Sequence, residues 1–167
     1  IEIDGGTTVE RVAWFDIDAL AREFATRDER GTGLGPLSPR EEVEATVQGA
    51  RIAIAYGRPA LRGRPLDMLA PEGAVWRTGA NEETTLTTDR PLAFDGLTVP
   101  PGTYSLFTIP AAAGWTLIIN RQTGQGGLAH DPAHDVGRVR MTTRHDAPAA
   151  ERFTIEVQAT GDGGALV

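Results

Sequence analysis

The sequence predicts an all-β fold, an antiparallel β-sandwich of the jelly-roll or immunoglobulin-like type or a related barrel, with one N-terminal helix near residues 17–28. From residue 41 onward, apolar residues alternate with polar ones at a period of two, which is typical of half-buried strands. Turn signals rich in Gly, Pro and Asp interrupt these segments at intervals of roughly 8–12 residues. Because no helical pattern separates the strands, a parallel sheet with crossover helices is not expected.

The helix is predicted from its cap and its periodicity. Asp16 is a favourable N-cap, and Phe15 before it can pack against Leu20 inside the first turns. Gly31 supplies a left-handed C-terminal stop. The apolar residues that share one face at helical spacing are Ile17, Leu20, Ala21 and Phe24. Before the helix, residues 1–14 have the pattern of strands around a pair of glycines.

A Gly/Pro-rich segment at residues 31–40 marks the one expected internal boundary. We therefore expect an N-terminal appendage and linker over residues 1–36 and a β-sandwich domain over residues 37–167. The chain opens without Met and stops inside an apolar run, so both ends look cut. The expectation is a domain truncated at its C-terminus, within a longer chain that carries other domains.

The strands follow one another along the second segment. A tight turn at Gly49 and an Asp-Gly pair at 95–96 predict two hairpins. An irregular stretch rich in Arg and Pro, residues 57–74, separates the first hairpin from the later strands. The predicted strands cover residues 43–47, 52–56, 84–88, 92–94, 97–99, 104–109, 115–119, 136–142 and 153–157. The apolar residues expected to meet in one core are Leu106, Ile109, Leu117, Ile119, Phe153 and Ile155.

Composition narrows the classes of function. The 167 residues carry 16 basic and 23 acidic side chains, a net charge of −7, and every basic residue is arginine. The absence of lysine excludes lysine Schiff-base chemistry, and the absence of cysteine excludes disulfides, thiol nucleophiles and thiolate metal sites. An acidic chain repels the phosphate backbone, so no nucleic-acid partner is expected. No apolar run reaches the roughly 18 residues that a membrane span requires.

One polar cluster is the candidate binding site. Its members are Arg58, Arg62, Arg64, Trp76, Arg77, Asn81 and Glu82. Guanidinium groups offer fixed planar donors for carboxylate, phosphate or sulfate, and the Trp76 ring could stack on a sugar. In the alternative interpretation the arginines pair with nearby carboxylates such as Asp67 and Glu72 and tie down the irregular loop, while Trp76 packs in the core.

Other candidate sites, for a metal ion or a nucleophilic serine, have less support in the sequence. His130 and His134 have the spacing of a helical zinc pair, but Asp131-Pro132 begins a short turn that leaves His130 outside it. No third ligand accompanies the two histidines, so neither a metal nor a cofactor is expected. The only serines are Ser38 and Ser105, and neither lies in a nucleophile elbow.

Five segments resemble a bacterial family known as domain of unknown function 2911. They are Tyr56–Arg64, Val75–Glu82, Pro101–Ile109, Trp115–Asn120 and Glu151–Ile155. The Trp-Arg-Thr-Gly-Ala-Asn string at 76–81 is the most specific of the shared features, and the likeness covers residues 37–167. The family usually has aromatic residues after the Asn120 strand and near Glu72, whereas this chain has Gly124–Ala129 after that strand. If those aromatics line a ligand surface, this chain has lost part of it.

The resemblance implies an exported or lipid-anchored protein, so a periplasmic or extracellular location is expected, but it implies no activity. The leading hypothesis is a non-catalytic binding or interaction module that holds a small anionic or sugar-like ligand at residues 57–82, which we call the arginine segment. In this hypothesis Arg77 and Asn81 share a polar pocket that also receives Arg58 or Arg64. One alternative is a small hydrolase or lyase that uses Arg77, Asn81, Glu82 and a histidine. Another is a purely structural domain with a salt-bridged cluster.

Overall fold

The structure, a computed structural model, describes residues 2–3, 7–8, 16–29, 38–144 and 150–167. The chain forms two compact units, Ile1–Pro36 and Leu37–Val167. In the first unit, β1 (Glu2–Ile3) pairs antiparallel with β2 (Thr7–Thr8), and α1 spans Ile17–Glu29.

Helix α1 begins where the capping pattern predicts. The Asp16 carboxylate accepts a hydrogen bond from the Ala19 backbone N–H at 2.9 Å, so the N-cap prediction is confirmed, and the helix covers the predicted residues 17–28. The apolar side chains of the predicted face are exposed to solvent: Ile17, Leu20 and Phe24. Phe15 and Gly31, the predicted staple and stop, lie outside the described residues. No helix in the described ranges has the length and apolarity that a membrane span requires.

The second unit is built from antiparallel strands. They are β3 (Arg40–Val47), β4 (Ala50–Gly57), β5 (Thr84–Thr88), β6 (Leu92–Phe94), β7 (Leu97–Val99), β8 (Gly102–Ile109), β9 (Thr116–Asn120), β10 (Asp135–Arg140), β11 (Val157–Ala159) and β12 (Gly164–Leu166). Six of them form one antiparallel sheet in the order β10-β9-β8-β5-β4-β3. The strand pairs β6–β7 and β11–β12 form separate small sheets. The antiparallel all-β prediction is confirmed, and the described strands form an open sheet and not a closed barrel.

Two tight turns set the register of the hairpins. Gln48 and Gly49 join β3 to β4 with φ values of 49° and 78°, and Asp95 and Gly96 join β6 to β7 with φ values of 38° and 86°. Two successive left-handed residues define the turn whose twist matches that of paired strands, which explains the preference for Asp-Gly at such positions. Both predicted hairpins are therefore confirmed.

One face of the six-stranded sheet carries the hydrophobic core. The core residues are Ile52, Ile54, Tyr56, Leu86, Val99, Tyr104, Leu106, Leu117, Ile119 and Ile155. The β6–β7 and β11–β12 hairpins and Phe153 pack over this face, which gives the unit two layers. The buried Tyr56 hydroxyl accepts a hydrogen bond from the Ile155 backbone N–H at 3.0 Å and ties the second layer to β4.

The predicted core is correct except for Ile109. Leu106 pairs with Ile119 on the core face, whereas Ile109 pairs with Thr116 on the opposite face and is only half-buried. Residues 106 and 109 are an odd number of positions apart, so an unbroken strand cannot turn both toward one face. The segment predicted as a strand at 153–157 is regular only from Val157 onward, although Phe153, Ile155 and Val157 all pack on the core.

Replacing Leu117 by Ala should lower the free energy of unfolding by about 2–5 kcal/mol, because transfer free energy is lost and a cavity remains. Leu117 is only 4% exposed, within the core. Leu128→Ala is the matched control, since the same change at a side chain that is 83% exposed should alter stability by less than about 0.5 kcal/mol. Urea denaturation of both variants measures the difference. Equal effects would show that β9 does not face the core.

Candidate functional site

Trp76 anchors the candidate site to the sheet. Its backbone N–H donates to the Thr108 carbonyl at 2.7 Å, and the Thr108 N–H donates back at 2.8 Å, so the chain is pinned beside β8. The indole ring is buried and makes edge-to-face contacts with Trp115 and Phe153, with ring centroids 6.0 and 5.0 Å away. The core interpretation of Trp76 fits this placement, and contact of its ring with a ligand stays a prediction.

Directly after Trp76 the chain forms a tight corner, residues 76–81. Thr78 and Asn81 have φ values of 54° and 63°, a left-handed conformation that costs a non-glycine residue free energy. The corner is pressed against the end of β4: a Cβ atom on Gly57 would lie 2.0 Å from the Ala80 carbonyl oxygen. The Thr84 hydroxyl donates to the Thr78 carbonyl at 2.8 Å and closes the corner. The small residues between Arg77 and Asn81 thus admit another backbone segment.

Arg77 and Asn81 are brought together by this corner. One terminal nitrogen of the Arg77 guanidinium donates to the Asn81 carbonyl oxygen at 2.7 Å. The Asn81 side-chain nitrogen donates to the Ser38 carbonyl at 3.3 Å. The aliphatic part of Arg77 lies against Gly127, where a Cβ atom would come within 2.9 Å of the Arg77 Cδ. Arg77 is half-buried and makes no ion pair with a carboxylate in the described part of the chain.

Arg58 makes its hydrogen bonds to other parts of the fold and not to Arg77 or Asn81. Its guanidinium donates to Glu41 at 2.9 Å, to the Phe153 carbonyl at 3.1 Å and to the Thr154 hydroxyl at 2.9 Å. It therefore joins β3, the end of β4 and the segment before β11. The predicted convergence of Arg58 with Arg77 and Asn81 finds no support in these hydrogen bonds.

The other two arginines of the loop also bond locally. Arg64 donates to the carbonyls of Leu61 and Ala60 at 3.0 and 2.9 Å. Arg62 adopts a φ of 52°, and its backbone N–H donates to the Glu151 carboxylate at 2.7 Å. The loop is thus tied down largely by carbonyls and backbone N–H groups, and only in part by the carboxylate pairing that the alternative interpretation expects.

Glu82 faces the edge of the sheet. Its carboxylate pairs with Arg40 at 2.8 Å, and both side chains are substantially exposed. Exposed pairs of this kind contribute little to stability. The same arginine also donates to the Glu83 carbonyl at 3.4 Å, so Glu82 helps to hold the start of β3 beside the start of β5.

Sequence reasoning missed a buried polar row on the outer face of the sheet. Ser105, Asn120 and Asp135 are cross-strand partners on β8, β9 and β10, and the first two are fully buried. They are covered by residues 121–131, which we call the strap. The signal in the sequence was a polar residue in each of three neighbouring strands: Ser105, Asn120 and Asp135. The strap itself has no periodicity that predicts where it lies.

The strap is held down by two anchors. The Glu83 carboxylate accepts hydrogen bonds from the Gly124 N–H at 2.6 Å and from the Ser105 hydroxyl at 3.2 Å. The Asn120 side chain accepts from the Gln122 N–H at 2.9 Å and donates to the Asp131 carbonyl at 2.8 Å. Each anchor satisfies backbone groups that the strap would otherwise bury without partners.

The two histidines engage different carboxylates. His130 lies 2.8 Å from Asp135 and packs on the Phe107 ring, whereas His134 lies 3.1 Å from Asp131. The short turn predicted at Asp131-Pro132 is confirmed, since a 3₁₀ helix spans Pro132–His134 with Asp131 as its cap. The described residues contain no group of three His, Cys, Asp or Glu that could hold a metal ion.

Two open hollows lie elsewhere on the second unit. One, of about 460 Å³, is lined by residues that include Asp95 and Arg140, and the other, of about 530 Å³, by residues that include Glu44 and Arg51. Neither is lined by Arg77 or Asn81.

A family model described as protein of unknown function (DUF2911) matches residues 38–167. The chain belongs to the DUF2911 family. The resemblance inferred from the sequence is confirmed, and the DUF2911 match includes the corner, the strap and every residue of the arginine segment. No curated protein and no solved structure matches the chain. The DUF2911 description states no activity.

Among the described residues of the DUF2911 domain, Asp135 is the carboxylate that accepts the most hydrogen bonds. Burial by itself would raise the pKa of Asp135, but hydrogen bonds from Asn120, His130 and Arg138 together outweigh it, so the pKa lies below the usual value. The distances from the Asp135 oxygens to these three side chains are 2.9, 2.8 and 3.0 Å.

The lowered pKa of Asp135 predicts a pH dependence of stability. The ionised group should stabilise the fold above the pKa of an unfolded aspartate, about 3.9, and this contribution should be lost as the pH falls through the lower folded-state pKa. Asp135→Asn should therefore be less stable than the unaltered protein at neutral pH, and the difference should shrink below about pH 4. Denaturation at several pH values measures this. Asp67→Asn, at an exposed position, is the control, and a difference independent of pH would contradict the prediction.

Proposed function

We propose that the DUF2911 domain is a non-catalytic binding module of an exported protein, and that Arg77 and Asn81 hold a small anionic or sugar-like ligand on its surface. The observation that carries the proposal is the rigid corner at residues 76–81. It fixes a half-buried guanidinium beside an amide and gives that guanidinium no carboxylate partner among the described residues.

The backbone strain of the corner supports the proposal. Thr78 and Asn81 adopt left-handed backbone conformations that persist only where the surroundings enforce them. Here the enforcing contacts are the Trp76–Thr108 bridge and the approach of Gly57. Strained residues of this kind are concentrated at sites of ligand contact, because strain and rigidity hold a side chain in one orientation before binding.

The free hydrogen-bonding groups indicate the class of ligand. Arg77 uses one terminal nitrogen on the Asn81 carbonyl, and its other donors have no partner among the described residues. The Asn81 side-chain oxygen likewise has no donor in the described part of the chain. Paired guanidinium donors fit a carboxylate, phosphate or sulfate, and an amide acceptor beside them fits a hydroxyl group. A sugar acid combines the two.

The remaining residues of the arginine segment would support the site and not contact the ligand. Arg58 and Arg64 bond to other parts of the fold, and Glu82 pairs with Arg40. The hydrogen bonds of His130 and His134 lead to Asp135 and Asp131, and no hydrogen bond links either ring to Arg77 or Asn81 in the described residues. The hydrolase or lyase alternative therefore has no specific observation in its favour.

The test is a thermal-shift screen with glucuronate, citrate, inorganic phosphate, sulfate and neutral sugars, followed by calorimetry of each compound that raises the melting temperature. Arg77→Ala should weaken binding about 10- to 100-fold, because a hydrogen bond to a charged group contributes about 1.5–3 kcal/mol. Its melting temperature should change little, because Arg77 makes one hydrogen bond to the protein through its guanidinium.

Arg90→Ala is the matched control. It removes the same charge at an exposed arginine beyond the other end of β5, and it should leave affinity unchanged. Two results would contradict the proposal: a screen in which none of these compounds raises the melting temperature, or an Arg77→Ala variant that is strongly destabilised and binds as before. The second would show that Arg77 serves only the structure.

A further inference from the structure

Two buried side-chain oxygen atoms of the strap have no hydrogen-bond donor among the described residues. They are the side-chain oxygens of Gln122 and Gln125, and among the described residues no other buried side-chain nitrogen or oxygen is left unpaired. Leaving a buried acceptor unpaired costs about 1–3 kcal/mol, so native proteins almost always give such groups a partner. Both atoms belong to one short segment, which makes a shared cause the simplest explanation.

The Gln125 oxygen cannot be satisfied by reversing its amide group. The Gln125 side-chain nitrogen donates to the Gln122 backbone carbonyl at 3.0 Å and to the Ser105 hydroxyl at 3.3 Å. A carbonyl oxygen can only accept, so the nitrogen must face it, and the oxygen of the amide is directed elsewhere. The partner of that oxygen has to be a group that is not a side chain or backbone group described in the structure.

Several oxygen ligands lie at the strap. The Ser105 hydroxyl shares its one proton between the Gln122 carbonyl at 2.7 Å and the Glu83 carboxylate at 3.2 Å. The backbone N–H groups of Gln122 and Gly124 are already bonded to Asn120 and Glu83. The cluster therefore has spare lone pairs, and its backbone donors at these two residues are used; the Gln122 side-chain nitrogen is a donor without a partner among the described residues.

We propose that the strap encloses a binding site for a hard cation, with the side-chain oxygens of Gln122 and Gln125 as ligands and the Glu83 carboxylate as the source of negative charge. Each Glu83 oxygen accepts one hydrogen bond and keeps a lone pair for the cation. Amide, carbonyl and carboxylate oxygens in irregular geometry suit Ca²⁺, whereas Mg²⁺ requires a near-ideal octahedron and retains its waters. With one carboxylate the affinity should be weak, with Kd on the order of 10⁻⁴–10⁻³ M.

The test compares the melting temperature of the full chain, freed of metal with a chelator, in CaCl₂, MgCl₂ and NaCl at equal ionic strength. CaCl₂ should raise the melting temperature in a saturable manner, since a ligand that binds only the folded state stabilises it. MgCl₂ and NaCl should have no such effect. Calorimetry with CaCl₂ then measures the affinity directly.

Gln122→Met is the decisive variant, because the Gln122 side chain makes no hydrogen bond to the described residues and the change removes one proposed ligand at similar volume. It should fold normally without metal and bind Ca²⁺ at least about tenfold more weakly. Gln158→Met, at an exposed position on β11, should bind like the unaltered protein.

Three results would overturn the cation site. A melting temperature that does not depend on CaCl₂ would mean that an ordered water satisfies the two oxygens. An equal shift with MgCl₂ would indicate screening of the net charge of −7 and not a site. A Ca²⁺ shift that survives Gln122→Met would place the cation elsewhere. None of these results bears on the anionic or sugar-like ligand proposed for Arg77 and Asn81.

Discussion

The close approach of two backbone segments at Gly57 and Ala80 is the constraint on which the candidate site depends. No side chain fits at residue 57, because its Cβ atom would overlap the Ala80 carbonyl oxygen. This contact holds the 76–81 corner against the end of β4, and within that corner Thr78 and Asn81 adopt left-handed conformations. Arg77 is held by its hydrogen bond to the Asn81 carbonyl oxygen and by its packing on Gly127. The function we propose therefore rests on a packing contact that involves no functional group.

The six-stranded sheet separates two kinds of interior. Its inner face buries aliphatic and aromatic side chains, and the stability of the unit comes mainly from this burial. Its outer face buries Ser105 and Asn120 beneath the strap, where each polar group needs a specific partner. The outer face also buries Phe107 and Ile118, so it adds apolar burial as well as specific polar contacts. The polar contacts of the outer face fix the strap, and Gly127 of the strap packs on Arg77. The polar row is therefore linked to the candidate site.

Much of the fold could be predicted because its signals are local. The Asp-Gly pair favours the left-handed turn of the β6–β7 hairpin through its own backbone preferences, and the Asp16 cap defines the start of α1 within one turn. The alternation of apolar and polar residues identified the core face of the strands. The one residue wrongly predicted to lie in the core, Ile109, is three positions from Leu106 and therefore faces the other side of β8. Local signals of this kind act over a few residues and do not depend on the final packing.

The candidate site was harder to predict because its partners are distant in sequence. Arg58 bonds to the Phe153 carbonyl, 95 residues further along the chain, and no spacing rule anticipates such a contact. The sequence therefore marked the arginine segment as a candidate, but it could not predict that Arg58 bonds to the Phe153 carbonyl while Arg77 bonds to Asn81. The buried environment of Ser105 was equally hidden, since the strap that covers it has neither helical nor strand periodicity.

The most direct test of the proposed site is an NMR titration that follows side-chain N–H resonances while glucuronate or inorganic phosphate is added. We expect the Arg77 Nε–H and the Asn81 amide resonances to shift together and saturate. The Arg64 Nε–H, which is bonded to the Leu61 carbonyl, should stay unchanged and serves as the internal reference. Resonances of Arg77 and Asn81 that remain still, while those of Arg64 or Arg58 respond, would contradict the claim that the 76–81 corner presents the binding site.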